Sequence, residues 1–240
     1  MARTLLEMHP HPTAPELDTP GALELLDRAF HTSRNIFMSM RGYAELIRRN
    51  PDEATRHPEW AGKIVNQLDR IGEMMQRVES IASIDDSPIE SLPVAWLLRE
   101  AEDKARQRCG ACDGIRVERA LDHDGWLDGR PRELVEAIAS LIENALEATP
   151  NNGTVRIHFH QRSHRGWALE ILDGGVGLPE RIASRIGEPF LSRKPGHLGL
   201  GVYLSRSILQ RYGCDLHIEN QPEGGARVLV APRKEQGGIQ

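Results

Sequence analysis

Apolar residues recur at alternating spacings of three and four early in the chain: Leu23, Leu26, Phe30, Ser33, Phe37, Met40, Ala44 and Ile47. This heptad seam predicts a long helix with one polar break, at Ser33. Asp18-Thr19-Pro20 supplies its start, a capping side chain followed by a proline whose fixed φ suits the first helical turn. Asn50-Pro51-Asp52 stops it. Pro58 opens a second run with the same spacing, Trp60, Ile64, Gln67, Ile71, Met74, Val78 and Ile81, widened by Leu68 and Met75. Two such helices form a hairpin whose seams are too narrow to be buried by one partner helix each. A four-helix bundle made from two hairpins resolves this and predicts a homodimer, although two core helices of a monomeric domain fit the periodicity about equally well.

Beyond residue 83 the period changes. Val94 to Arg108 and Pro131 to Ala148 read as helices. Ile115 to Ala120 and Trp126-Leu127 read as strands, and Val155 to His160 and Trp167 to Leu172 alternate like neighbouring strands. Leu200 to Tyr212 is a further helix, and Leu216 to Glu219 and Ala226 to Val230 are final strands. Helices mixed with hairpin-linked strands predict an α+β sandwich on a mostly antiparallel sheet. The expected organisation is a flexible tail (1–17), an all-α helical hairpin (18–83), a linker (84–92), an α+β domain (93–233) and a second tail (234–240).

The chain has 240 residues, a formal charge of -5, 39% hydrophobic and 27% charged residues. These values suit a soluble globular protein and carry no basic footprint for nucleic acid. No run approaches the ~20 apolar residues of a membrane span, and residues 1–16 lack the apolar centre of a signal peptide, so a cytoplasmic protein is expected. Three cysteines make an odd count and no disulfide framework, which agrees with a reducing compartment. Cys109-Gly110-Ala111-Cys112 lacks the second ligand pair that zinc requires and reads as a turn between helix and strand, with metal or redox sensing as the alternative.

Four motifs follow in order: Leu141-Ile142-Glu143-Asn144-Ala145-Leu146-Glu147-Ala148-Thr149, Asp173-Gly174-Gly175-Val176-Gly177-Leu178, Gly187-Glu188-Pro189-Phe190-Leu191-Ser192-Arg193-Lys194 and His197-Leu198-Gly199-Leu200-Gly201-Val202, with Gly224-Gly225-Ala226 closing the set. Singly each is a weak signal. Together they resemble the N box, first glycine box, F box and second glycine box of the ATPase domain shared by histidine kinases, type II topoisomerases and heat-shock chaperones. The resemblance implies that ATP and Mg²⁺ are bound here. Asn144 would supply an oxygen ligand to Mg²⁺, a cation that takes few protein ligands beside phosphate and water. Asp173 would accept from the adenine amino group, with Gly175 and Gly177 letting the backbone approach the base. Gly199, Leu200 and Gly201 open a helix whose N–H groups would face phosphates, under a lid carrying Phe190, Arg193 and Lys194. Ser140 and His197 stand where relatives often have Asn and Gly.

On the first helix, His31-Thr32-Ser33-Arg34-Asn35-Ile36-Phe37 followed by Arg41-Gly42 resembles the H box of nitrogen-regulation-type sensor kinases. The resemblance implies that His31 is phosphorylated from ATP and that the phosphoryl group passes to an aspartate in the receiver domain of a response regulator. Arg34 and Asn35 lie three and four residues on, on the same helix face. Asn35 would position water for dephosphorylating the partner. Thr32 replaces the family's acidic residue, and Asp27, one turn earlier, is the candidate substitute. The alternatives are a phosphotransferase or phosphatase with impaired autokinase activity, or an adaptor that binds ATP as a conformational ligand. With no recognisable sensor domain before residue 20, the input is expected from a separate sensory protein, from the bundle itself or from a region the chain lacks.

Overall fold

The computed structural model describes residues 19–82, 87–110, 112–163, 166–183, 185–192 and 199–233. Helices α1 (Thr19–Arg49) and α2 (His57–Ala82) form the predicted hairpin. Its turn is closed by polar bonds: the Asn50 side chain donates to the Leu46 carbonyl at 2.8 Å, and a His57 ring nitrogen lies 2.8 Å from the Asn50 carbonyl. Trp60 is buried beneath the turn, with the Arg56 guanidinium 5.5 Å above its ring.

Within one chain, only part of the heptad seam of α1 turns toward α2. Ala29 and Ile36 are buried, whereas Phe30 and Phe37 are 72% and 56% exposed. A straight α-helix repeats every 3.6 residues, so a strict heptad drifts, and the small Ala29 gives no hydrophobic signal in the sequence. Ser33 does face α2: its hydroxyl donates to the Ala29 carbonyl at 2.8 Å and approaches the Met74 sulfur at 3.7 Å. On α2 the expected seam is met at Trp60 and Met74, which are buried, while Val65, Leu68 and Met75 stay exposed. The hairpin thus buries one stripe internally and presents a second apolar face.

The second unit begins earlier than expected. Residues 90–92, read as linker, belong to strand β1 (Glu90–Pro93), which pairs antiparallel with β3 (Trp126–Gly129). The main sheet has five strands in the order β2-β4-β5-β7-β6, comprising β2 (Arg116–Leu121), β4 (Thr154–Ser163), β5 (Gly166–Leu172), β6 (Cys214–Asn220) and β7 (Ala226–Pro232). Among the described residues only the β2–β4 pair is parallel. Helices α3 (Val94–Arg108), α4 (Pro131–Ala148) and α6 (Gly201–Arg211) cover one face, and a single turn, α5 (Glu180–Ala183), lies between β5 and α6.

Alternation along the strands explains the layering: Val155, Ile157 and Phe159 point at the helices, and Leu134, Ile138 and Leu141 of α4 meet them, all essentially inaccessible. Each such side chain contributes roughly 1.5–3 kcal/mol by leaving water. Polar ties fix α4 to α6. Ser205, fully buried, donates to the Ala137 carbonyl at 2.8 Å, and buried Glu133 accepts from Tyr212 at 2.6 Å and Arg211 at 3.2 Å. At the end of α3 the structure joins Cys109 to Cys112, where the odd cysteine count led us to expect no disulfide. The two units touch through a small apolar cluster in which Ala29 and Met74 of the hairpin pack with Leu200, Leu204, Phe190 and Tyr203.

Candidate functional site

A cavity of about 500 Å³ opens between α4, the β5–α5 connection and the N-terminus of α6. Asn144, Asp173, Gly177, Gly199, Leu200 and Gly201 line it, so residues scattered over 58 positions of sequence converge as the motifs imply. Leu141, Ile182, Leu191, Ile218 and Val228 give it apolar walls suited to a flat heterocycle.

Asp173 stands at the end of β5 and is 8% exposed. Its Oδ1 accepts the Gly175 N–H at 2.9 Å and the Ala226 N–H at 3.1 Å. Oδ2 has no partner among the described residues, which leaves an acceptor at the cavity wall. The backbone around Asp173 is held from behind. Gln221 Nε2 donates to the carbonyls of Asp173 and Ala226, both at 2.9 Å. A Cβ on Gly225 (φ 84°) would strike the Asp173 carbonyl, so only glycine lets the β6–β7 turn lie this close.

The first glycine box is pinned by Asn220, which accepts the Leu178 N–H at 2.6 Å and donates to its carbonyl at 2.8 Å. Gly177 (φ 75°) sits against that amide. Gly175 does not line the cavity. Its Cβ would fall 2.5 Å from the Ala148 carbonyl, so this glycine serves the packing of the loop on the end of α4 and not the approach to a base. Asn220 and Gln221 escaped the sequence reading, since they enter from β6 across the sheet and form no local motif.

Asn144 is half-buried on the cavity side of α4, flanked by buried Glu143 and half-buried Glu147. The Arg108 guanidinium lies 3.8 Å from Glu143 and 2.8 Å from Glu136. Burial pushes the Glu136 carboxyl up, but bonds from Arg108 and Lys104 outweigh it and hold the group below its ordinary range. Among the described residues no cluster of three or more His, Cys, Asp or Glu could hold a metal. One amide oxygen from Asn144 fits Mg²⁺ only if phosphate oxygens and water complete its shell.

Helix α6 begins at Gly201 with Leu200 as its cap residue and no side-chain capping bond. Its first N–H groups are therefore available to an anion at the cavity mouth. Gly199 (φ 68°) packs on the Leu191 backbone. Phe190 (φ 63°) does not line the cavity; it is half-buried against the interdomain cluster. Arg193, Lys194 and His197 lie outside the described residues.

On the hairpin, His31, Arg34 and Asn35 are all exposed, and Thr32 is half-buried. Asp27 lies in α1 one turn before His31. Ala29, two residues before His31, shares one apolar cluster with Met74, Leu200 and Leu204, which brings the hairpin to the Leu200 edge of the cavity.

This is an ATPase-type nucleotide fold: residues 129–236 match the family of histidine kinase-, DNA gyrase B- and HSP90-like ATPases, and the chain carries that domain. Proteins named as histidine kinases are its relatives. Over 207 residues it is 26% identical to sporulation kinase A of Bacillus subtilis, covering 85% of this chain and 33% of that protein. Over 217 residues it is 27% identical to the sensory histidine kinase/phosphatase NtrB of Rhodobacter capsulatus, covering 84% of this chain and 59% of that one. In both cases the chain spans less than two thirds of the relative's length. The solved structure of histidine kinase ThkA in complex with response regulator protein TrrA aligns at a TM-score of 0.64 and 18% identity, over 90% of this chain and 63% of that one. Acinetobacter baumannii histidine kinase AdeS aligns at 0.62 and 16% identity, over 85% of this chain and 98% of that chain. Both structures share the fold.

Proposed function

We propose that the protein is a two-component histidine kinase that phosphorylates its own His31 from Mg-ATP and passes the phosphoryl group to an aspartate of a response regulator. The carrying observation is that one cavity gathers the Asp173 carboxylate, the Asn144 amide and the uncapped N-terminus of α6, with the hairpin packed at its Leu200 edge. Asp173 Oδ2 accepts from the adenine amino group. The first N–H groups of α6 receive the phosphates, and Lys194 and Arg193 add positive charge from the lid. Asn144 supplies a ligand to Mg²⁺, which neutralises charge on the phosphates when bound. The exposed His31 imidazole attacks the γ-phosphorus in line; the bond from that phosphorus to the β–γ bridging oxygen breaks, ADP leaves, and the new bond is N–P. Asp27 orients the ring in place of the acidic residue that Thr32 replaces, and Arg34 screens the phosphoryl charge.

Two further parts belong to the same reading. Asn35 positions water for hydrolysis of the regulator's phosphoryl-aspartate, making the protein a phosphatase of its partner as well. The exposed apolar face of the hairpin, Phe30, Phe37, Leu68 and Met75, is the seam of a homodimeric four-helix bundle. The absence of any membrane-spanning helix among the described residues fits a cytoplasmic protein that takes its signal from a separate sensory protein.

The test is incubation with Mg²⁺ and γ-labelled ATP, following acid-labile label on the wild type, His31→Gln and Asn144→Ala. Label on the wild type alone supports the kinase reading and both sites. Nucleotide binding without label on any of them overturns it. Thr32 favours a second reading, a phosphotransferase or phosphatase with impaired autokinase activity, and that result would leave it standing.

A further inference from the structure

The cavity wall is acidic. Its described lining carries the carboxylates of Glu143, Glu147, Asp173 and Glu188, and among the described residues no lysine, arginine or histidine lines it. Arg108 lies 3.8 Å from Glu143 and Arg185 lies 2.8 Å from Glu188, so these two guanidinia are already engaged by the acids. A polyphosphate entering such a space meets like charge, and in a partly desolvated cleft that repulsion is screened less than at an open surface. The N-terminus of α6 offsets only about half an elementary charge of it.

Arg206 is placed to offset more. It stands on α6 five residues past Gly201, about 7.5 Å along the helix axis. Its guanidinium packs on the backbone of Gly187, and Gly187 lines the cavity. A Cβ at Gly187, where φ is 92°, would fall 2.6 Å from Arg206 Cζ, so glycine is what lets the guanidinium come up behind the wall. Arg206 is half-buried, yet it has no hydrogen bond or ion pair with any described residue. Taking a guanidinium partly out of water costs free energy that an ion pair would offset. Neighbouring arginines have that partner: Arg185 has Glu188, and Arg211 has Glu133.

We propose that, given the ATP reading of this cavity, Arg206 is its specificity-determining residue for phosphate charge, favouring ATP over ADP and both over adenosine. Arg206 does not line the cavity and takes no step in the transfer. Its charge acts across the Gly187 backbone on whatever anion the N-terminus of α6 receives. Asp173 reads the base, and Arg206 reads the phosphates.

The test is equilibrium titration of the whole chain with ATP, ADP and adenosine, without Mg²⁺, for the wild type, Arg206→Gln and Arg206→Lys. Arg206→Gln should weaken ATP about fivefold, ADP about threefold and adenosine not at all. Arg206→Lys, which keeps the charge, should stay within about twofold of the wild type for all three. Raising the salt from about 0.05 M to about 0.5 M should shrink the ATP difference between the wild type and Arg206→Gln, because mobile ions screen the charge. An equal loss for all three ligands would make Arg206 a packing residue of the Gly187 wall, and unchanged ATP affinity in Arg206→Gln would remove it from the site; either result overturns the assignment. A wild type that binds none of the three overturns the ATP reading itself, and the assignment falls with it.

Discussion

The side-chain amide of Gln221 donates to the main-chain carbonyl of Asp173 at 2.9 Å, bridging a separation of 48 residues. The same nitrogen reaches the Ala226 carbonyl, so one side chain clamps β5 to the β6–β7 turn where the candidate adenine acceptor sits. Gln221→Ala removes both bonds at a position that does not itself line the cavity. We expect a loss of about 1–2 kcal/mol in nucleotide binding, roughly tenfold in Kd, from a loosened Asp173. Equilibrium titration with an ATP analogue checks it; unchanged affinity would mean that Gly175 and Ala226 hold Asp173 on their own.

Asp173→Asn separates position from charge. Its Oδ1 can still accept from Gly175 and Ala226, so the fold should persist. The group facing the cavity becomes an amide, able to donate to a purine carbonyl. Discrimination between ATP and GTP should fall by at least about tenfold, measured as the ratio of their dissociation constants.

What could be read in the sequence and what could not divide along a physical line. Asn144, Asp173, Gly177 and Gly199 were legible because each lies in a contiguous motif whose spacing serves the local backbone. Asn220 and Gln221 were not, because they act across β6 on segments more than 40 residues away and have no pattern of their own. Gly175 was found but for another reason, since only the structure shows the Ala148 carbonyl beside it. On the hairpin the periodicity located both helices, while the choice between Ala29 and Phe30 as the inward residue depended on how many partners α1 has. Strand β1 escaped because four residues ending in Leu-Pro show no alternation, and its partner β3 lies more than 30 residues on.

Gly225→Ala is expected to be the most damaging small change in the nucleotide domain. The position has φ 84° and no room for a Cβ against Asp173. Strain and displacement together should cost at least about 2 kcal/mol, lowering Tm by roughly 5 °C or more for a chain of this size. Differential scanning calorimetry would show it, and Gly110→Ala, where the space is open, is the control.

Alkaline stability should report on Cys214. Its thiol is raised in the folded state from 9.0 to about 11, chiefly by burial. A raised acid favours folding while it stays protonated. Its contribution is intact below pH 9 and is lost as the pH climbs through about 11, where the unfolded chain ionises first. Urea unfolding in dithiothreitol should lose about 2–3 kcal/mol between these limits from this group. Cys214→Ala should flatten the fall; an equal slope in both proteins would place the titration elsewhere, Tyr212 first, since burial and Glu133 raise it too.

The hairpin offers two apolar surfaces with separable roles. Leu68 and Met75 are exposed on α2 at 51% and 59%, while Met74, one residue from Met75, is 6% exposed and packs toward Leu200 and Leu204. Leu68→Glu puts a charge in the middle of the proposed dimer seam, where burying an unpaired carboxylate costs several kcal/mol. It should shift the protein from dimer to monomer by light scattering and leave nucleotide affinity within about twofold. Met74→Asp instead charges the contact between the hairpin and the nucleotide domain. It should keep the dimer and the affinity, because neither Phe37 nor the Asp173 wall is touched, but should release the docked domain. Small-angle scattering would register a larger radius of gyration for Met74→Asp alone. A monomer from Met74→Asp, or an unchanged dimer from Leu68→Glu, would show that the two faces have been assigned the wrong way round.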